Sequence, residues 1–495
     1  MGYIMNLLTD EFISTTDGKV SLKQVLTGDQ HYDLQYGFDE VQLAVLQLLS
    51  SLTTVLLKPT MQELSSYLEL GLTAAQYEKA LKSIDVNSFD ADHFMRSVSS
   101  DKRKVSTDKI AKLVSGIECG FSKNASGLFS DMSRVEKTCP HCAPVLNYNL
   151  HMNIKGECFG PAGATGIRGG GSLTTLISGT TLKQTLLANT VAVDFFMNLR
   201  GISTANDDLM WSNPPCDKIY YGHQIGLMRG LFALAYHIGF NELHEPCVCD
   251  ICGHASETTI REFSRLRYLG RYGGTKTGQE AGAGWWPHPY TPTTKTVDGQ
   301  FPVCAKGKGW QSWQGLVSYV VGKNIEGKNA IPAPIVQQYT AMGYWHANLL
   351  VGGNIAHQGS VVGRVYDLYA MPQHWDASLE GVTKVIDTGL EIEELLVQAL
   401  KKLSGKELFG KRYDGIKQQT VDQYTANAHS IIQGLLVDIN RSEAKILRQK
   451  ALTSLQKEAV TLYRQLMRKY QNELPIFKAL VKGERILTRV TKVTN

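Results

Sequence analysis

Four cysteines stand in two C-x-x-C pairs. "TCPHC" carries Cys139 and Cys142, and "CVCDICG" carries Cys249 and Cys252. Two such knuckles bring four thiolates to one tetrahedral zinc ion at about 2.3 Å. The pairs lie far apart in the chain, so the ion would tie two distant segments together and contribute to folding. Cys247 is then a spare. Either pair alone could be a redox dithiol, and unligated core cysteines are the plain alternative. A four-thiolate site leaves no open coordination position, so structural zinc without catalysis is the expectation.

A second stretch, "GECFGPAGATGIRGGGSLTT" (156–175), places seven glycines in its first sixteen positions. Glycine lets another backbone or a ligand approach closely, and ordering so bare a loop costs much entropy. Something large and close is the expected reason. The run lacks G-x-G-x-x-G and G-x-x-x-x-G-K-[ST], so nucleotide binding has little support. "GGTKTG" (273–278) fails the phosphate-loop test as well, because Thr275 precedes Lys276 where a glycine is needed. It reads as a loop presenting Lys276 to solvent. "VGGNIAHQGS" (351–360) sets His357 and Gln358 just beyond a double glycine. "WWPHPYTP" holds His288 between prolines, a rigid turn rather than a base. No G-x-S-x-G elbow, H-E-x-x-H pair or kinase set is present.

The elements that must position these residues fall into two regions. Up to about residue 378, short β-rich runs and helices mix with many Gly/Pro turns. "SLKQVL", "GFDEVQLAVLQLL" and "LTAAQYEKALKSI" read as helices, with Asp39 and Thr73 as N-caps. The apolar run 41–57 is interrupted by Gln and Ser/Thr residues and reads as a buried helix rather than a bilayer span. "QGLVSYVV" (314–321) reads as a strand. From 379 to 495 only Pro475 appears, and amphipathic segments follow at about 389–403, 418–439, 441–472 and 475–491. In the third, Ile446, Leu447, Leu452, Leu455, Ala459, Leu462, Tyr463 and Leu466 recur at helical spacing. An α+β chain is expected: a mixed α/β domain over 1–378 and a four-helix bundle over 379–495.

Charge separates the regions too. The chain carries +5, yet residues 381–495 hold 20 Lys/Arg against 12 Asp/Glu, so the excess lies in the bundle. Arg441, Lys445 and Arg448 fall at i, i+4 and i+7, a face that suits phosphates or simply water. Nine cysteines without a secretory leader and no membrane span point to a cytoplasmic protein.

Six blocks in order, "MNLLTDEFI", "TCPHC", "GIRGGGSLTTL", "CDICG", "WPHPYTP" and "LLVGGNIAHQGS", resemble the large subunit of the type I-E CRISPR surveillance complex Cascade, the CasA family. The likeness spans nearly the whole chain. It implies a non-enzymatic protein that recognises the protospacer-adjacent motif in double-stranded DNA, starts strand separation and recruits a trans-acting helicase-nuclease. It implies contact with the guide RNA through other subunits, and with the complex's backbone and small subunits. Three elements carry over as minor-groove contacts: a glycine loop around Gly160 and Gly163, a lysine finger at Lys276, and a glutamine wedge at Gln358 with His357 beside it. The loop 122–137 would dock on neighbouring subunits and the guide's 5′ handle. Here Pro161 and Ala162 interrupt the glycine loop, and the wedge pair reads His-Gln where the family commonly has Asn-Gln. Two alternatives from other classes are a zinc-stabilised nuclease and a transposon-associated Cascade subunit that recruits transposition proteins.

Overall fold

The run after Asp39 folds as the helix Asp39–Leu57, whose residues from Leu43 to Leu56 are all buried. A helix apolar on every side has no solvent face to present, so it becomes a core element. Two of its buried hydroxyls bond back to the helix itself: Thr53 Oγ1 donates to Leu49 O (2.7 Å) and Thr54 Oγ1 to Ser50 O (2.8 Å). Among the described residues this is the one helix long and apolar enough to cross a membrane, and 89% of that window is buried inside the protein. The computed structural model describes residues 4–96, 105–114, 134–154, 156, 159, 163–164, 166–169, 171–200, 207–213, 219–268, 271–272, 286–296, 303–305, 312–321, 324–325, 328–343, 347–357, 360–371, 378–405 and 408–488.

The chain divides into two compact units. The larger comprises Met1–Gly309, Gly322–Gly343 and Asn348–Leu368. The smaller takes Tyr369–Asn495 together with Trp310–Val321 and Tyr344–Ala347. The division thus falls about ten residues before the expected boundary at 378, and short segments from the middle of the chain join the helical unit.

In the larger unit, two sheets position the cysteine knuckles, the glycine segment and the approach to His357. One is antiparallel, with Thr259–Arg267 between Ser106–Lys109 and Tyr236–Leu243 and a bulge between Phe240 and Glu242. The other places Ala347–His357 between Thr174–Ser178 and Ser360–Met371. Its register runs from Asn348 opposite Ser178 to Gly352 opposite Thr174. Helix starts follow local chemistry. Ser21 and Thr73 each close a capping box with a glutamine three residues on. Asp39 is not a cap: Phe38 holds that position, and Asp39 is the first helical residue, its carboxylate accepting from Glu40 N.

The smaller unit contains four long helices: Leu379–Leu400, Tyr413–Val437, Ala444–Lys469 and Leu474–Thr488. The first begins ten residues ahead of the expected 389. In the third, Leu447, Ala451, Leu455, Ala459 and Leu462 make the buried stripe. Each fully buried leucine contributes roughly 1.5–3 kcal/mol. Ile446 is not part of it; 48% of its surface is exposed. "QGLVSYVV" is not a strand either. Ser312–Gly315 is a 3₁₀ turn and Val317–Val321 a short π-helix. Trp313 there is fully buried and donates its indole N–H to Thr425 O, so helical packing overrides the β-branched local preference.

Candidate metal centre and candidate nucleic-acid elements

The sulfurs of Cys139, Cys142, Cys249 and Cys252 all lie within 4.8 Å of one another, and all four residues are buried. Cys139 Sγ to Cys252 Sγ is 3.9 Å, as is Cys249 Sγ to Cys142 Sγ. Four sulfurs about 2.3 Å from a tetrahedral centre stand about 3.8 Å apart, whereas a disulfide needs about 2.05 Å. The donor set therefore fits a thiophilic divalent ion, and it brings both knuckles to one point, as a dithiol in either pair alone would not. Among the described residues it is the one cluster of three or more potential metal ligands. Cys247 stands apart, half-buried, its thiol directed at Thr258 O.

Main-chain bonds hold the knuckles together. Thr138 and Ile260 exchange both of theirs, and the Asp250 carboxylate accepts from Glu136 N and Lys137 N. Gly253, at φ +77°, turns the second knuckle so that its N–H reaches Cys249 O. Cys139 N also donates to Cys249 Sγ at 3.3 Å. Hydrogen bonds from Cys139 and Cys142 hold the Cys249 thiol well below its ordinary range and lower Cys252 to about 7. Hydrogen bonding with Cys139, then with the other two sulfurs, pushes Cys142 up. Left to themselves the four share protons; a divalent cation lets all four ionise together.

The glycine segment has internal reasons for part of its bareness. A Cβ on Gly156 would stand 2.1 Å from Ala164 O, and one on Gly166 would stand 2.5 Å from His151 O. At these two positions the protein's own main chain fills that room. Gly163 is half-buried, and its carbonyl accepts from Arg267 Nη1 at 3.2 Å. Ala164 N donates to Tyr236 Oη at 2.6 Å. Phe159 lies under the Arg265 guanidinium at 4.2 Å, and Arg265 is paired in turn with Asp108 at 2.6 Å. Gly160 lies outside the described residues.

Strand Ala347–His357 carries the backbone toward the wedge pair. Its Gly352 packs on the core helix, where a Cβ would meet Leu43 Cδ2 at 2.6 Å. The side chain of His357, all of Gln358 and all of Lys276 lie outside the described residues, as does most of the loop 122–137.

In the bundle, the three cations do not share one helical face. Arg441 sits in the 3₁₀ turn Ile439–Arg441, before the helix opens at Ala444, and pairs with Asp438 at 3.5 Å. Arg448 reaches Glu391 on the first bundle helix at 3.4 Å. Lys445 is exposed.

Sequence reasoning passed over the residues that brace the glycine segment. Arg168 is 1% exposed; Tyr236 and Arg265 are buried as well. The one signal for Arg168 was its place inside "GIRGGG", a long side chain among residues with none.

A family model described as CRISPR-associated protein Cse1 matches residues 6–466. The chain is similar to CasA (Cse1) of Thermus thermophilus, with a TM-score of 0.71 at 14% identity over 98% of each chain. It is similar to Cse1 of Thermobifida fusca, with a TM-score of 0.70 at 15% identity over 98% of this chain and 97% of that one. A chain of a structure described as a CRISPR RNA-guided surveillance complex matches with a TM-score of 0.66 at 13% identity, over 98% of this chain and 100% of that one.

Proposed function

The chain belongs to the CRISPR-associated Cse1 family, and from that premise we propose that it is the non-catalytic large subunit of a type I-E surveillance complex. It recognises the protospacer-adjacent motif in duplex DNA, begins strand separation and recruits a helicase-nuclease that acts in trans.

One observation carries this reading: the antiparallel pairing of Thr174 with Gly352. Thr174 opens the strand that leaves the glycine segment, and Gly352 lies five residues before His357. At about 3.3 Å per residue, the wedge pair is reached about 17 Å beyond that pairing, on the side of the sheet end where the glycine segment enters. On this reading the chain leaving the glycine segment and the chain leading to the wedge pair would meet at one end of that sheet. Main chain around Gly160 and Gly163 would lie along the minor groove. Lys276 would donate to its degenerate acceptors, the N3 of adenine and the O2 of pyrimidines, which tolerates several motif sequences. Gln358, beside His357, would enter the stack, at a cost of a few kcal/mol offset by guide pairing and backbone contacts. Lys445 and its neighbours Arg441 and Arg448 would hold displaced strand. Cys139, Cys142, Cys249 and Cys252 would hold a zinc ion that fixes two segments and does no chemistry.

The test is the complex reconstituted with its other subunits and guide RNA, bound to duplexes carrying a randomised motif. Selective binding that Lys276→Ala weakens, without Mg²⁺-dependent cleavage by the complex alone, is the expected result. Cleavage without a second protein would favour the nuclease alternative instead.

A further inference from the structure

Arg168 is a cation inside the protein, and each of its five N–H groups has an acceptor. Nε donates to Thr291 Oγ1 at 2.7 Å, and Nη1 to Asn153 Oδ1 and to Met152 O at 3.4 Å. Nη2 donates to Leu173 O at 3.0 Å and to Thr174 Oγ1 at 2.7 Å. All five acceptors are uncharged oxygens, drawn from three places: the end of helix Ala143–Met152, the start of strand Thr174–Ser178 with Leu173 just before it, and the turn that follows His288. Burying a guanidinium is costly unless its hydrogen bonds are complete, and only a planar fork of five donors matches this set.

The same residue is covalently part of the glycine segment, with Gly166 two residues before it and Gly171 three after. Its own carbonyl accepts from Ser172 Oγ at 2.5 Å. Ser172 O lies 3.1 Å from where a Cβ on Gly353 would stand. Thr174, held by Nη2, is the residue opposite Gly352. Gln47 Nε2 bonds the same Thr174 hydroxyl at 3.2 Å, and Gln47 Oε1 accepts from Asn153, so the core helix joins the same network.

We propose that Arg168 is a positioning residue: it fixes the glycine segment against the strand that leads to His357 and Gln358, and so sets the spacing between groove-facing main chain and wedge. This rests on the DNA-recognition reading of the chain. Arg168 touches no nucleic acid; its effect is on geometry, and it belongs in motif discrimination and strand opening rather than in general affinity.

The experiment compares wild-type complex with Arg168→Lys, which keeps the charge and loses the fork, and with Thr291→Val, which removes one acceptor at similar volume. Each is bound to duplexes with and without the motif, across a salt series, at a temperature well below its measured melt. For Arg168→Lys the ratio of the two affinities falls by about tenfold, the size of one lost base-pair contact. For Thr291→Val it falls less, in the same direction. The slope of log K against log salt stays at the wild-type value in both, because no phosphate contact is lost. A folded Arg168→Lys with the wild-type ratio overturns the proposal. So does a slope smaller by about 1 with the ratio unchanged, which would make Arg168 a phosphate contact. If Arg168→Lys does not fold, an unchanged ratio in Thr291→Val overturns it alone. A wild-type complex with no motif discrimination would sink the underlying reading as well, so the two failures are told apart by the wild-type arm.

Discussion

The sulfur of Cys139 lies 3.9 Å from the sulfur of Cys252, although 113 residues separate them in the chain. Two knuckles with no sequence proximity therefore share one site, and Thr138 paired with Ile260 is the backbone tie beside it. Bonds from Glu136 N and Lys137 N to the Asp250 carboxylate, and from Cys139 N to Cys249 Sγ, join the knuckles directly.

Metal analysis of the purified protein should return one zinc per chain. Cys252→Ser, or a strong chelator, should remove it and lower the melting temperature by roughly 10 °C, because binding energy at such a site is folding energy. A metal-free protein that melts at the wild-type temperature would show that the thiols pack as ordinary core residues.

Two glycines in the bundle should respond to alanine with opposite signs. A Cβ on Gly389 would stand 2.6 Å from the Trp313 ring, whereas one on Gly434 meets nothing within 4 Å. Helix propensity favours alanine by about 1 kcal/mol at both sites, and overpacking costs about 1–3 kcal/mol at the first only. Gly389→Ala should lower stability and Gly434→Ala raise it, read from denaturant midpoints.

How much of the fold and the site was legible in the sequence depended on whether a signal was local. The buried helix Asp39–Leu57 and the bundle stripe from Leu447 to Leu462 were readable, because burial at a fixed period is written in consecutive residues. So was the four-cysteine cluster, since C-x-x-C spacing encodes half a tetrahedron by itself. "QGLVSYVV" misled because Trp313 and its neighbours pack with helices whose sequence lies 60 or more residues away. The face drawn through Arg441, Lys445 and Arg448 failed where the chain leaves the helix: a 3₁₀ turn ends at Arg441 and breaks the period. Beyond its place inside "GIRGGG", nothing marked Arg168, because its five acceptors come from segments as far off as Thr291 and no spacing rule joins them.

Acid should destabilise the larger unit through its buried imidazoles. Burial lowers His151 from its ordinary value to about 3 and pushes His288 well below its usual range as well. Below pH 6.5 the unfolded chain takes up protons that the folded imidazoles refuse, so stability is complete above 6.5 and falls as pH drops toward 3. Each such group contributes up to about 1.4 kcal/mol per pH unit. His151→Asn can still accept from Ala235 N, the present partner of Nδ1 at 3.0 Å, and should flatten the slope of stability between pH 6 and 4. A slope unchanged in that variant would mean the imidazole is not held neutral.

If the bundle holds displaced strand, its cations should not contribute alike. Arg448 is tied to Glu391 while Lys445 is exposed. Lys445→Ala should reduce the salt slope of target binding by about 1, and Arg448→Ala by less. Equal, negligible effects would make both residues part of a solvated face.

The most direct test of the central claim uses a fluorescent base analogue at the first base pair beside the motif, with wild-type complex and Gln358→Ala compared at saturating concentration. A wedge that pries the duplex apart requires the variant to bind motif-bearing DNA yet open it at least tenfold more slowly, the rate expected when about 1.4 kcal/mol of unstacking is no longer offset. Opening at the wild-type rate by a complex lacking that amide would contradict it.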